Sequence, residues 1–299
     1  MSALAAIDIG TNSVRLLVTD PAGRELERLM RMTRLGQGVD VTGQLSAAAI
    51  ERTVSVLVEY ASRMQAHGVT RVCAVATSAA RDAQNGALFF EAAERALGVR
   101  PTLLSGDEEA RWSFYGATDG LDRRDGPFLV IDLGGGSTEF VLGTEQPEAA
   151  TSLQMGCVRM SERHLHGDPP TSAQVRACAE DVRRELVQVR SVMDVTKART
   201  VVGLAGTVTA LSALQLGLVR YDAARTHHSR LSAPQVAALA TRLAGANVAE
   251  RRELLVEPAR AEVIAGGALV LATTMSELGL AELLVSERDI LDGLAASLR

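Results

Sequence analysis

The chain has 299 residues, enough for two domains of ordinary size. Its formal net charge of −5 argues against non-specific nucleic-acid binding, and its 47% hydrophobic residues supply a real core that, at 3% aromatics, must be built from Leu, Val and Ala. The cysteines (Cys73, Cys157 and Cys178) lack metal-ligand spacing and read as reduced thiols of a cytoplasmic protein.

No signal peptide is expected, because a strand follows Met1 without a basic region. The first stretch with a chemical signature is Ile7-Asp8-Ile9-Gly10-Thr11-Asn12-Ser13-Val14-Arg15-Leu16. An apolar run ends in an aspartate, turns through small polar residues and becomes apolar again. The pattern predicts a strand-turn-strand hairpin, not the strand-turn-helix of a P-loop. It is repeated at Ile131-Asp132-Leu133-Gly134-Gly135-Gly136-Ser137-Thr138-Glu139-Phe140. Successive N–H groups in such turns form an anion-binding nest, and an aspartate at a strand end is placed to hold a metal or a metal-bound water. Two such hairpins predict two related domains facing each other across a phosphate.

Between the hairpins, a third strand is expected at Glu25–Met32. A helix capped by Ser46 follows, with Ile50, Val54, Leu57, Val58, Ala61 and Met64 on one face, and then a strand at Val72–Ala76. Thr77-Ser78-Ala79-Ala80-Arg81-Asp82-Ala83-Gln84-Asn85 lies beyond that strand end, where hydroxyls and Arg81 suit a phosphate; a capped helix start with a solvated Arg81 explains it equally well. After a helix at Ala87–Leu97 and a strand at Pro101–Leu104 comes Ser105-Gly106-Asp107-Glu108-Glu109. Its acids suit a helix N-terminus, and a general base could be among them. The polar run Thr118–Gly126 marks the domain boundary.

In the second hairpin Glu139 stands where the first has Arg15, offering a second acid to a metal where the other copy offers a cation to a phosphate; a cross-strand charge pair or plain solvation is the plainer explanation. A strand at Ala149–Met155 and a helix from Gly156 to Arg163 follow, then His164 and His166, read as surface residues. Ser172 is expected to cap a helix to Val192. Val201 to Val219 carries no charge, but its Gly, Thr and Ser content predicts a strand, a turn and a helix start, not a membrane span. Ala205-Gly206-Thr207 in that turn is a further candidate anion or nucleotide contact, or simply close strand-helix packing. Tyr221–Ser229, with His227 and His228, is expected as a loop. Helices at Ala233–Gly245, Val248–Leu254 and Pro258–Leu278, a strand at Glu282–Ser286 and a final helix complete two α/β halves.

This ordered set of motifs, together with Gly156-Cys157-Val158-Arg159 and Gly203-Leu204-Ala205-Gly206-Thr207, resembles the exopolyphosphatase and guanosine pentaphosphate phosphohydrolase (Ppx/GppA) family of the actin, heat-shock chaperone and sugar-kinase superfamily. The resemblance covers almost the whole chain. It implies two actin-like (ribonuclease H-like) domains around a central cleft, over 1–122 and 123–288, with a C-terminal helix at about 289–299 expected to pack back on the first. The C-terminal helical region of longer relatives is expected to be absent, and Ser286-Glu287-Arg288-Asp289 matches the family's glycine-rich turn loosely.

By the same resemblance Glu109 is the general base, and Asp132 and Glu139 bind Mg2+ with Asp8 assisting. Asn12, Ser13, Arg15, Arg81, Gly135, Gly136 and Ser137 grip phosphate oxygens. The expected activity is magnesium-dependent release of orthophosphate from the end of inorganic polyphosphate. Guanosine pentaphosphate at the same site is the alternative. A non-catalytic phosphate- or nucleotide-binding regulator and a small-molecule kinase are further readings; an intact Glu109 with Asp132 and Glu139 argues against the regulator. No nucleic-acid or membrane partner is expected, and a homodimer through the second domain is an expectation of the resemblance alone.

Overall fold

The computed structural model describes residues 3–299. β1 (Ala3–Ile9) is buried at every position, so its apolar run occupies the middle of a sheet. β2 (Ser13–Thr19) folds back on it, and β3 (Glu25–Met32) continues the antiparallel meander as a charged edge strand. After α1 (Val39–Thr42) comes α2 (Ala47–Ala66), capped as expected by the Ser46 hydroxyl, which accepts from the Ala49 amide. Tyr60 on α2 is buried and donates its hydroxyl to the Val14 carbonyl, fastening the helix to β2.

β4 (Val69–Ala76) runs parallel to β1. α3 (Ser78–Asp82), α4 (Gly86–Leu97), a short β5 (Thr102–Leu103) and α5 (Gly106–Thr118) follow. The sheet order is β3-β2-β1-β4-β5.

The second half begins with β6 (Phe128–Leu133), β7 (Thr138–Gly143) and β8 (Pro147–Leu153), then α6 (Cys157–His164) and α7 (Ser172–Val192). β9 (Thr200–Leu204), α8 (Ala205–Gln215), α9 (Ala223–Thr226), β10 (Arg230–Ser232), α10 (Ala233–Gly245), α11 (Val248–Leu254), α12 (Ile264–Glu277) and β11 (Glu282–Val285) complete it. The sheet order is β10-β11-β9-β6-β7-β8. From β8 to β11 it repeats the first sheet strand for strand and direction for direction, and β10 adds an antiparallel edge. The fold is α/β with two mixed sheets of actin-like topology.

The chain divides into two compact units: one runs to Gly116 and takes in Ile290–Arg299, the other is Ala117–Asp289. The last helix, α13 (Ile290–Ser297), belongs to the first unit, where Ile290, Leu291, Leu294 and Ala295 pack on Ala6, Leu17, Val75 and Leu104. Arg28 of β3 donates to both oxygens of Asp292, at 3.2 and 2.6 Å. The second unit's core is larger and, as composition requires, mainly aliphatic.

Several expectations need correction. α12 starts at Ile264, because Pro258–Arg260 forms a separate 3-10 turn in which Arg260 folds back on Glu257 at 2.7 Å. α7 is capped by Thr171, not Ser172: Gln174 stands three residues after Thr171 and closes a reciprocal capping box. The stretch Tyr221–Ser229 read as loop contains α9 (Ala223–Thr226), and β10 starts just beyond it at Arg230. His164 is not a surface residue; its Nε2 lies 2.7 Å from Asp181, which also accepts from Arg163 at 3.0 Å and Arg184 at 2.7 Å. Val201–Val219 is strand, helix and turn, and among the described residues no helix is long and apolar enough to cross a membrane.

Candidate active site

Both predicted hairpins form. In the first unit Asp8 on β1 stands opposite Arg15 on β2. The Arg15 guanidinium donates to Asp8 Oδ2 through Nε at 3.1 Å and Nη2 at 2.6 Å. The other carboxylate oxygen, Oδ1, is buried and has no partner. The turn backbone faces a fixed direction. The Thr11 carbonyl accepts from the Gly36 amide at 2.8 Å, and the Asn12 carbonyl accepts from Thr33 and Arg34 at 3.1 and 2.9 Å. The Thr11 and Asn12 N–H groups donate to nothing among the described residues.

Thr11 and Ser78 share a hydroxyl–hydroxyl bond of 2.8 Å, which ties this turn to the start of α3. Arg81, at the end of α3, donates through Nη1 to the Leu104 carbonyl at 2.8 Å and to Glu109 Oε2 at 3.3 Å. Its Nη2 is buried and unpartnered, as is Asn12 Nδ2. A buried polar atom left unmet costs about 1–3 kcal/mol, so Asp8 Oδ1, Asn12 Nδ2 and Arg81 Nη2 together favour a polar ligand at this end of β1.

The three acids at the start of α5 divide by environment. Glu108 caps the helix: its carboxylate accepts from the Ser105 amide and hydroxyl, both at 2.8 Å, and the backbone bond holds it below the usual carboxylate range. Asp107 is exposed. Glu109 alone is half-buried and turned towards Arg81. Asn85 has a structural role, its side-chain amide bonding both backbone groups of Leu45 at 2.8 and 2.9 Å.

In the second unit Asp132 on β6 stands directly opposite Glu139 on β7. Opposed residues of an antiparallel pair share one face, so two carboxylates lie side by side there. They are only 7% and 1% exposed, and Glu139 accepts from Ser152 of β8 at 2.7 Å. Like charges so placed repel unless a cation or proton joins them. Hard oxygen donors of this kind suit Mg2+, which takes one or two protein carboxylates and fills its remaining positions with water and phosphate oxygens. Among the described residues no group of three or more His, Cys, Asp or Glu could hold a metal by itself, and a magnesium shared with substrate needs none.

The second turn presents its amides in the same way. The Gly135, Gly136 and Ser137 N–H groups donate to nothing among the described residues, while the carbonyls of Gly134, Gly135 and Gly136 all accept from the start of α6. A family profile described as the Ppx/GppA phosphatase family matches residues 19–298. The chain belongs to this family. Exopolyphosphatase 2 of Mycobacterium tuberculosis is 44% identical over 315 residues, covering 100% of this chain and 99% of that protein. A solved exopolyphosphatase-like protein superposes with a TM-score of 0.95 at 39% identity, covering 99% of this chain and 98% of that one. The Aquifex aeolicus Ppx/GppA family member gives 0.81 at 32% identity, covering 99% and 97%.

Sequence reasoning did not single out two arginines that lie against glycine turns of the second unit. Arg159, in the Gly156-Cys157-Val158-Arg159 motif, donates through Nε to the Gly136 carbonyl at 2.7 Å. Arg260 is buried, and its guanidinium fills the space a Cβ on Gly206 would need, at the start of α8. No local pattern around Pro258 announces that contact. His227 and His228 stack at 3.7 Å, and His227 Nδ1 accepts from the amide of Glu287. Burial pushes the Glu287 carboxyl up, and Tyr221 and Thr226 donate to it.

Proposed function

We propose that the chain is an exopolyphosphatase that hydrolyses the terminal phosphoanhydride bond of inorganic polyphosphate, with magnesium, and releases orthophosphate. The end-to-end likeness to a relative named Exopolyphosphatase 2 carries this reading. The site chemistry supports it: a turn of unspent N–H groups beside a buried acid pair, and a glutamate held by an arginine.

In this reading Glu109 orients the attacking water and accepts its proton. The water oxygen bonds to the terminal phosphorus as the bridging P–O bond breaks, and the shortened chain leaves on its own phosphate oxygen. Arg81 steadies Glu109 through Nη1 and offers Nη2 to the substrate. Asn12, Ser13, Arg15, Gly135, Gly136 and Ser137 hold phosphate oxygens, and Arg15 also balances Asp8. Asp132 and Glu139, assisted by Asp8, would hold Mg2+, which would supply charge neutralisation for the departing phosphate. Phosphoryl transfer asks little covalent work of a protein, so position and charge dominate. Assembly as a homodimer is part of the same proposal, and sedimentation velocity tests it.

Phosphate release with Mg2+ is to be compared for long polyphosphate, short polyphosphate and guanosine pentaphosphate at matched chain-end concentrations. Release from polyphosphate with little from the nucleotide is expected. The reverse pattern moves the substrate to the nucleotide, and silence on all three with binding retained makes the protein a regulator. Glu109→Gln should lower kcat by roughly a thousandfold while still binding polyphosphate; normal turnover would remove Glu109 from the base role.

A further inference from the structure

The second turn is held from behind with unusual completeness. Cys157 N–H donates to the Gly134 carbonyl at 2.9 Å. Val158 and Arg159 N–H groups donate to the Gly135 carbonyl at 2.8 and 3.2 Å, and Gly156 N–H to the Gly136 carbonyl at 3.0 Å. One side chain joins them: Arg159 Nε, on the same Gly136 carbonyl at 2.7 Å. A trans peptide plane carries each C=O opposite the N–H of the next residue. Fixing the carbonyls of Gly134, Gly135 and Gly136 therefore fixes the N–H directions of Gly135, Gly136 and Ser137, the amides that have no acceptor of their own.

The clamp is itself anchored. A Cβ on Gly156 would lie 2.3 Å from the Gly135 carbonyl carbon, so only glycine lets α6 meet the turn this closely. Ser161 Oγ donates to the Cys157 carbonyl at 2.7 Å, inside α6, and α6 packs on α12. At its far end Arg163 and His164 hold Asp181 of α7.

We propose that Arg159 is a positioning residue for the phosphate-binding turn: through the Gly136 carbonyl it sets the direction of the Ser137 N–H and, with the α6 amides, aims three backbone donors at one phosphate group. The proposal rests on the reading that this turn grips the substrate. Its bond costs no substrate contact, so its loss loosens ground-state and transition-state binding alike. That signature separates it from Glu109.

The test uses the full chain. Arg159→Met keeps the apolar stem and removes the donor. KM for polyphosphate ends should rise about tenfold, and inhibition by orthophosphate should weaken in parallel. kcat should stay within about threefold, and the thermal midpoint should stay near wild type. Arg159→Lys, which keeps one charged donor, should recover part of the KM. Gly156→Ala pushes on Gly135 without touching Arg159; it should raise KM in the same sense, and the double variant should fall short of the product of the two effects.

Unchanged KM and phosphate inhibition in Arg159→Met would overturn the proposal. So would a normal KM in Gly156→Ala, which would make Arg159 a direct substrate contact. Should Arg159→Met fail to fold, Arg159→Lys and Gly156→Ala decide by the same readings. Orthophosphate titrated calorimetrically into wild type and variants keeps the two ideas apart. Wild type that binds orthophosphate more tightly than the variants but turns over no polyphosphate sinks the exopolyphosphatase reading and leaves the clamp standing. Equal affinities sink the clamp.

Discussion

The two hairpins share a backbone and differ at one decisive side chain. Each turns its carbonyls to a distant segment and leaves amides unspent. In the first unit Asp8 meets Arg15, and the pair is neutral. In the second, Asp132 meets Glu139, and the pair has two formal negative charges in a buried place. The clamps differ too: the first turn is held by backbone bonds from a loop at Thr33–Gly36 and by the Thr11–Ser78 hydroxyl bond, whereas the second is held by a helix start and an arginine. A duplicated scaffold thus carries an ion pair in one half and two opposed carboxylates in the other.

The largest expected effect comes from removing one of the second pair's two charges. Asp132→Asn should lower phosphate release by roughly a thousandfold and abolish the rise in thermal midpoint expected of the wild type with Mg2+. A variant that Mg2+ still stabilises as well as wild type would show that Asp132 is no ligand.

Breaking the neutral pair acts on stability instead. Arg15→Ala strands the buried Asp8 carboxylate and should cost roughly 3 kcal/mol, lowering the thermal midpoint by roughly 5–10 °C. A melt within a degree of wild type would mean that Asp8 finds another cation.

A smaller, pH-dependent difference separates the clamps. Burial alone would raise the Asp181 carboxyl, but hydrogen bonds from His164, Arg163 and Arg184 outweigh it and hold the group down at about 2, against an ordinary 3.8. A folded-state value below the unfolded one gives stability that is present above about pH 4 and is lost as pH falls towards 2. Asp181→Asn should therefore cost roughly 2 kcal/mol at pH 7 and flatten the acid limb of stability between pH 4 and 2, as thermal melts across that range would record. An acid limb unchanged from wild type would mean that the carboxylate does not anchor α6.

Both hairpins, the long helices and the alternation of strand and helix were legible because each rests on neighbouring residues. Apolar runs at Ala3–Ile9 and Phe128–Leu133 announce buried strands, and Ser46 announces α2. Where the reading slipped, a partner from elsewhere decided. Gln174 moved the α7 cap by one residue, Glu257 and Gly206 held Arg260 out of α12, and Asp181 drew His164 inward. Asp8, Arg81, Glu109, Asp132 and Glu139 could be named from motifs, but not the way Arg81 holds Glu109 or the way α6 turns three carbonyls aside. Those depend on bonds between segments that no local spacing records.

The placement of α13 has a consequence for how the chain is made. The second unit is continuous in sequence and sits wholly between the two stretches of the first. During synthesis it can close on itself while the first sheet still shows Ala6, Leu17, Val75 and Leu104 uncovered. Only when Ile290, Leu291 and Leu294 emerge is that apolar face covered, so the earliest strand made waits for the last helix, and a nascent chain stalled before Ile290 presents a sticky surface to chaperones and to its neighbours.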